Sequence, residues 1–191
     1  MRVTREQMQE NRHRILSVAG HLFRQRGFDA VTVADVMKAA GLTHGGFYGH
    51  FKSKDDLIAQ TVLHSLESKK VDASKSFAAS VSAYLSPSHR DNPADGCPTA
   101  CLAGDIQRQS ADARTAMTAG IRSQIDYISH KLARERQGDQ KCEAIGTWAA
   151  MVGAIILSRA VNDRDFSDEI LEKTKEFLLN VNGDINVLHS T

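Results

Sequence analysis

Two cysteines four residues apart, Cys97 and Cys101, are the residues best placed for covalent chemistry in this 191-residue chain. Cys97 is followed by Pro98, the pairing of a helix N-cap with proline at the first helical position, and a sulfur at a helix N-terminus can be biased towards thiolate. A C-x3-C pair of that kind suits sensing of oxidants or electrophiles; the competing reading is that both pack as small apolar side chains. His89 and Asp91 lie in the same polar stretch, and with Cys97 they supply the residue types of base, orienter and nucleophile. Nothing else supports catalysis. The chain has no nucleophile elbow, P-loop, dinucleotide fingerprint, zinc-ligand spacing or HExxH, so no enzyme is expected and no cofactor or metal is implied. The third cysteine, Cys142, falls in a segment expected to be a buried helix. An odd cysteine count without a signal-like apolar start argues against a disulfide framework and for a cytoplasmic protein.

The elements that must position these groups are helical. Only three prolines occur, at Pro87, Pro93 and Pro98, and the alternation of β-branched residues that marks strands is nearly absent. The longest uncharged run, Ala144 to Leu157, is too short to cross a bilayer and reads as a buried helix, so no membrane association is expected. Charge is unevenly placed. Residues 1–54 hold nine Lys or Arg against four Asp or Glu, whereas the remainder holds fifteen against nineteen. A basic head on an acidic body suits a protein that meets phosphate at one end, although a solvated imbalance is the plainer account.

In the head, Thr4 with Gln7 forms a capping-box pattern, and Ile15, Ala19, Leu22 and Phe23 repeat at helical spacing up to Gly27. Thr32 is an N-cap with Asp35 three residues on, followed by Val33, Val36 and Met37 and then Gly41, a left-handed stop. Thr43 caps a third short helix, His44 to Phe51, with Phe47 and Phe51 on one face. Ser53 caps a long helix running to about Lys70, with Asp55 and Asp56 in its first turn. Two short helices joined by a tight glycine turn behind a longer bracing helix make a helix-turn-helix.

The residues resemble closely those of the tetracycline-repressor (TetR) family of regulators: F23-x3-G27-F28-x2-V31-T32-V33, then A39-A40-G41-L42-T43, then F47-Y48-x-H50-F51-K52-S53-K54-D55-D56-L57. The resemblance covers about residues 10–60. It implies an all-α fold of about nine helices: a helix-turn-helix DNA-binding domain over 1–53, and a C-terminal domain over 54–191 that dimerises and binds a small-molecule inducer. It further implies a homodimer on a palindromic double-stranded operator, repressing transcription until an unidentified inducer releases it. Tyr48 and Lys54 match family positions that commonly contact backbone phosphate. His50 and Lys52 are also candidates, and Thr32 and Thr43 combine capping with phosphate contact. Base reading is thin: Thr43 and His44 carry polar groups, whereas Gly45, Gly46 and Gly49 carry no side chain. Glycine there lets the helix backbone sit deep in the major groove, with DNA shape supplying part of the preference. Arg2, Arg5, Arg12 and Arg14 form an N-terminal arm that either adds phosphate contacts or is simply solvated.

Beyond the head, Phe77, Val81, Tyr84 and Leu85 mark a fifth helix. Ser86 to Gly96 reads as loop, and Pro98 opens a helix to about Gln109. A long helix follows through Met117, Ile121, Gln124, Ile125, Ile128 and Leu132. The last two helices, about Gln140–Val161 and Ser167–Val181, are the most apolar. On the first of them Gly146, Ala150, Gly153 and Ala154 form a small-residue strip beside Trp148, Val152 and Ile155; on the second Ile170, Thr174, Phe177, Leu178 and Val181 share a face. Two such hairpins would pack as a symmetric four-helix interface; the other reading is intramolecular core. By the resemblance, Phe77, Tyr84, Met117, Ile121, Gln124 and Trp148 are candidate pocket residues, each equally readable as core. A helical interaction module that does not bind DNA would leave Tyr48 and Lys54 idle.

Overall fold

The computed structural model describes residues 4–68, 75–135 and 139–180, and among them every regular element is helical. In order these are α1 (Arg5–Arg26), α2 (Val33–Ala39), a 3₁₀ helix (His44–Gly49), α3 (Lys54–Ser68), α4 (Phe77–Tyr84), α5 (Pro87–Asp91), a 3₁₀ turn (Pro93–Asp95), α6 (Pro98–Ile106), α7 (Ala111–Glu135), α8 (Gln140–Ala160) and α9 (Arg164–Asn180). Arg2, Lys70 and Val181, which enter the expectations above, lie outside the described residues.

Short-range hydrogen bonds set the helix starts. Thr4 Oγ1 accepts from the Gln7 amide at 3.2 Å. Thr32 and Asp35 close a full capping box: Thr32 Oγ1 accepts from the Asp35 amide at 3.1 Å while the Thr32 amide donates to Asp35 Oδ2 at 2.9 Å. Each satisfies amides a helix start leaves without an intrahelical partner. Ser53 Oγ accepts from the Asp56 amide at 3.1 Å at the start of α3. Gly41, with φ 68°, makes the turn after α2, a conformation that costs a Cβ-bearing residue.

Two compact units emerge. The first takes in α1, α2, the 44–49 helix, α3, the 93–95 turn, α6 and α7 as far as Ile121. Its core is one contiguous cluster in which Phe23, Phe28, Phe47 and Phe51 are almost fully buried together with Ile15, Met37, Leu57 and Leu102. Each of these side chains stabilises the fold by about 1.5–3 kcal/mol relative to exposure. α1 and α3 approach closely at Gly20, where an added Cβ would stand 2.7 Å from Ser65 Oγ.

The second unit takes in α4, α5, α7 from Arg122, α8 and α9. Ala144, Trp148, Met151 and Ile155 of α8 and Leu171 and Leu178 of α9 are buried. By length and composition alone α8 would suit a membrane crossing, but this packed face is that of a core helix. Arg90, only 3% exposed, joins α5 to α9 through Asp168 Oδ1 at 2.5 Å and Ser167 Oγ at 2.7 Å. Arg159 of α8 donates to the carbonyls of Arg90 and His89, both at 2.9 Å.

Several sequence expectations need correction. The stretch Ser86–Gly96 is not all loop: Ser86 Oγ caps α5 by accepting from the His89 amide at 3.2 Å, with Pro87 at the first helical position, and the 93–95 turn follows. The segment after Thr43 is a 3₁₀ helix ending at Gly49, and Thr43 makes no side-chain capping bond. Cys142 is exposed, because the first turns of α8 present it to solvent. α6 stops at Ile106 rather than near Gln109, and α9 begins at Arg164, where Asp163 Oδ1 accepts from the Phe166 amide at 3.1 Å.

Candidate DNA interface

The 44–49 helix is anchored on one side and open on the other. Phe47 is 1% exposed and stacks on Phe51 at 5.6 Å between centroids. Tyr48, its neighbour, is 71% exposed and leans edge-on against Phe47 at 5.2 Å. The backbone closes i to i+3, with the Gly46 amide on the Thr43 carbonyl at 3.0 Å and the His50 amide on the Phe47 carbonyl at 2.9 Å. A 3₁₀ winding is tighter and less well bonded than an α-helix. With three glycines in six residues, this segment keeps its shape through the two phenylalanine anchors more than through its own propensity.

The glycines have no reason for being there in the protein's own packing. A Cβ at Gly45 would meet nothing within 4 Å, one at Gly46 would lie 3.6 Å from Thr43 Oγ1, and one at Gly49 would lie 3.9 Å from Met8 Cε. Nor does the backbone demand them, since the described glycines with positive φ are Gly27 and Gly41.

A hydrogen-bonded chain from α1 fixes the turn behind this helix. The Arg12 guanidinium donates to the His50 carbonyl and to Gln60 Oε1 and lies over the Phe51 ring, 4.6 Å from its centroid. Gln60 Nε2 in turn donates to Asp56 Oδ1 at 2.5 Å, and the Lys52 amide donates to Asp56 Oδ2 at 2.8 Å. Burial acts to raise the Asp56 carboxyl, but the Lys52 amide, Gln60 and the charges of Arg12 and Lys52 leave it below the usual carboxylate value. Burial first, and the Arg12 charge second, push His50 below its ordinary value. His50 is therefore a neutral imidazole at neutral pH, able to meet a phosphate only as a hydrogen-bond donor.

Thr43, His44, Gly45, Gly46, Tyr48 and Lys52 are exposed, while His50 and Lys54 are half-buried. Thr32 is exposed too, but its hydroxyl is bonded to Asp35 Oδ2 at 2.6 Å. Thr43, with no capping bond to make, keeps its hydroxyl available for another acceptor or donor. Sequence reasoning missed the role of Arg12, grouped with the N-terminal arm, because its partners lie 38 and 48 residues away. It also passed over Lys38, exposed in the last turn of α2; a lone lysine beside the turn is the only signal that pointed to it.

Comparison with known proteins bears on this segment. Residues 15–61 match the family model for bacterial regulatory proteins of the tetR family. The match assigns this segment, and not the rest of the chain, to the tetR-type helix-turn-helix. The head is 44% identical over 59 residues to the HTH-type transcriptional regulator AcrR of Shigella flexneri, a match covering 31% of this chain and 27% of AcrR. It is 41% identical over 66 residues to TtgR of Pseudomonas putida, covering 35% of this chain and 31% of TtgR. The chain thus matches less than a third of the length of these curated relatives. In fold the likeness runs further: the crystal structure of the reduced form of NemR from E. coli is similar with a TM-score of 0.72 at 23% identity, over 90% of this chain and 96% of that one.

The residues expected in a pocket divide between the units. Met117 is buried in the core of the first, with Ile121 packed against it; Phe77, Tyr84, Gln124 and Trp148 belong to the second. There Tyr84 lies edge-on to both Trp148, at 5.4 Å, and His89, at 4.5 Å. Of the residues expected at a dimer face, Trp148, Ile155 and Leu178 are buried inside the protomer, Val152 and Ile170 are half-buried, and Phe177 is 58% exposed. Ile145, Ile156, Leu157 and Phe166, not singled out from sequence, are exposed on the same two helices. Cys97 is buried and Cys101 half-buried, and neither is joined in a disulfide.

Proposed function

We propose that this protein is a sequence-specific, DNA-binding transcriptional repressor that works as a cytoplasmic homodimer and leaves its operator when a small molecule binds its C-terminal body. The observation that carries the reading is an outward 3₁₀ helix whose glycines answer no need of the protein's own packing, presented beside an exposed tyrosine. Without side chains at Gly45, Gly46 and Gly49, backbone can approach groove walls closely. Tyr48 and Lys54 then serve phosphate contacts, with Lys52 and Lys38 adding charge, and Thr43 and His44 reach base edges. The head, residues 1–53, is a TetR-type domain, and proteins of this family act as dimers on operator DNA.

The dimer face we assign is the outer side of α8 and α9. Ile156, Leu157, Phe166 and Phe177 expose large apolar area there. A Cβ at Gly146 or Gly153 would meet nothing within 4 Å, so these two glycines of the small-residue strip answer no packing need of the protomer, whereas Ala154 is buried within it. A second copy placed on it pairs two heads for a palindrome with half-sites about one helical turn apart. For the inducer, Trp148 Nε1 is buried with no hydrogen-bond partner among the described residues. Such a donor costs about 1–3 kcal/mol unless something accepts from it, and a ligand carrying an acceptor group answers that need beside Tyr84.

Selection of genomic fragments by the purified protein, followed by gel shifts with Tyr48→Phe and Lys54→Ala, tests the reading. Specific retention of a palindromic fragment, weakened at least about tenfold by either change, is the expected result. Retention of no fragment over random DNA at low salt would end it.

A further inference from the structure

We propose that Cys97 and Cys101 form a hydroperoxide-sensitive dithiol whose closure into a disulfide deforms the start of α6 and loosens the anchorage of α1, the helix that braces the DNA-binding turn. The consequence for DNA rests on the repressor reading; the thiol chemistry does not.

The two cysteines bracket the first turn of α6, Cys97 as its N-cap and Cys101 within it. The Cys101 amide donates to the Cys97 carbonyl at 3.2 Å, Cys97 is 8% exposed as the residue preceding α6, and Cys101 is half-buried and so the more accessible. Cys101 Sγ donates to the Pro93 carbonyl at 3.5 Å. A positive charge stands beside the pair: Arg24 of α1 donates from Nε to the Ala94 carbonyl at 2.6 Å and from Nη1 to Ser65 Oγ at 3.3 Å. Burial pushes the Arg24 guanidinium down, while Cys101, then Asp95, then Cys97 act on it in the opposite sense. That places both sulfurs within electrostatic reach of Arg24, Cys101 most strongly. The form of a cysteine that attacks is its thiolate, and Cys101, the more accessible of the two, is the one a peroxide reaches first. Asp95 faces the same guanidinium and also lies 3.6 Å from His21 Nδ1.

The chemistry needs one equivalent of a hydroperoxide. The Cys101 thiolate attacks a peroxide oxygen; the S–O bond forms, the O–O bond breaks, and the departing oxygen takes up the thiol proton and leaves as water or alcohol. Sulfur is oxidised to sulfenic acid and the peroxide is reduced. Cys97 sulfur then attacks Cys101 sulfur, the S–S bond forms, the S–O bond breaks, and hydroxide leaves as water with the Cys97 proton. One turn of α-helix separates Cα atoms by about 6 Å, inside the disulfide range of about 4.4–6.8 Å, but the Cβ atoms must close to about 3.5–4.5 Å. The first turn of α6 must therefore tighten.

The 93–95 turn is held by contacts on which this closure acts. Cys101 Sγ loses its hydrogen and with it the bond to Pro93, and the turn's links to α1, Arg24 to Ala94 and His21 to Asp95, are pulled with it. α1 also carries Arg12, which holds His50 and Gln60. Everything in this chain belongs to the first compact unit.

The test uses the full-length protein with the exposed Cys142→Ser change, compared with the same protein carrying Cys97→Ser or Cys101→Ser. After hydrogen peroxide, alkylation and peptide mass mapping, the parent should show a Cys97–Cys101 linked peptide that thiol reductant reverses. Amide exchange in α1 should rise, and affinity for the selected DNA should fall at least about tenfold, with none of these changes in either serine variant. Full alkylation of both cysteines after peroxide would overturn the proposal, as would a disulfide that leaves α1 exchange unchanged, or an equal loss of DNA affinity in the serine variants. If the reduced parent holds no DNA, the repressor reading falls, while the linked peptide and α1 exchange still decide the dithiol.

Discussion

Replacing Gly46 and Gly49 together by alanine separates what the recognition segment needs for itself from what it needs for DNA. A Cβ at Gly46 would sit 3.6 Å from Thr43 Oγ1 and 3.8 Å from Met37 Cε, and one at Gly49 would sit 3.9 Å from Met8 Cε, all ordinary van der Waals separations. Neither residue has positive φ, so alanine fits without strain and narrows the unfolded ensemble, stabilising the fold by about 0.4–1 kcal/mol per site. In a chain of this size that raises Tm by roughly 2–4 °C for each kcal/mol. On DNA the sign reverses: a methyl forced into a close backbone-to-groove contact costs about 1–3 kcal/mol, as overpacking does elsewhere, which is roughly 5- to 150-fold in affinity. Thermal unfolding and fluorescence anisotropy on the same samples check both halves. A double variant that melts higher and binds operator as well as the parent, or better, refutes the reasoning that close backbone approach explains these glycines.

Four further outcomes are expected. Arg12→Met removes the bonds to the His50 carbonyl and to Gln60; it should cost about 1.5–3 kcal/mol of stability and speed amide exchange at residues 50–53, and unchanged exchange there would count against the brace. Hydrogen bonds from Arg164 and then Arg90 hold the Asp91 carboxyl far below the usual range, so its stabilisation is complete above about pH 4 and is lost as pH falls further; Asp91→Asn should flatten that acid limb of a melting-temperature profile. His64 is pushed below its ordinary 6.5 by burial and then by the charge of His13, against Glu67. Its contribution is therefore full above that value and declines as pH drops through it, so His64→Gln should reduce the loss of Tm between about pH 7.5 and 5. Leu157→Glu with Phe177→Glu should halve the mass seen by sedimentation while far-UV circular dichroism stays the same, and a stable dimer would move the interface elsewhere.

What the sequence made legible was local. Thr4, Thr32 and Ser53 announce helix starts because a capping hydroxyl reaches only three residues along the chain, and Pro98 behind Cys97 does the same by steric fit. The Ser86–Pro87 pair carries the same signature for the five-residue helix α5, but the prolines and glycine around it carry turn chemistry that masks it. The winding of residues 44–49 was not, since α and 3₁₀ share their first turn and differ only in which carbonyl each amide finds. Long-range partners were out of reach. Arg12 and Arg24 look in sequence like any other basic residues of a DNA-binding head, and only the packing of α1 against the 93–95 turn and α3 shows that both point inward. Cys142 was misjudged for a related reason: an apolar helix average says nothing about which side its first turn shows to water.

The inward commitment of those two arginines bears on how the protein answers to ionic strength. Of nine basic side chains in residues 1–54, Arg12 and Arg24 donate to backbone carbonyls of their own chain and are turned away from direct contact with a phosphate. Because each phosphate neutralised contributes about 0.9 to the log–log dependence of affinity on salt, counting charges from the primary structure should overstate that slope by roughly two contacts per head, and by four in the proposed dimer. On the repressor reading proposed above, grip on non-operator DNA is weakened in the same proportion, and the protein is freer to leave unproductive sites along a chromosome.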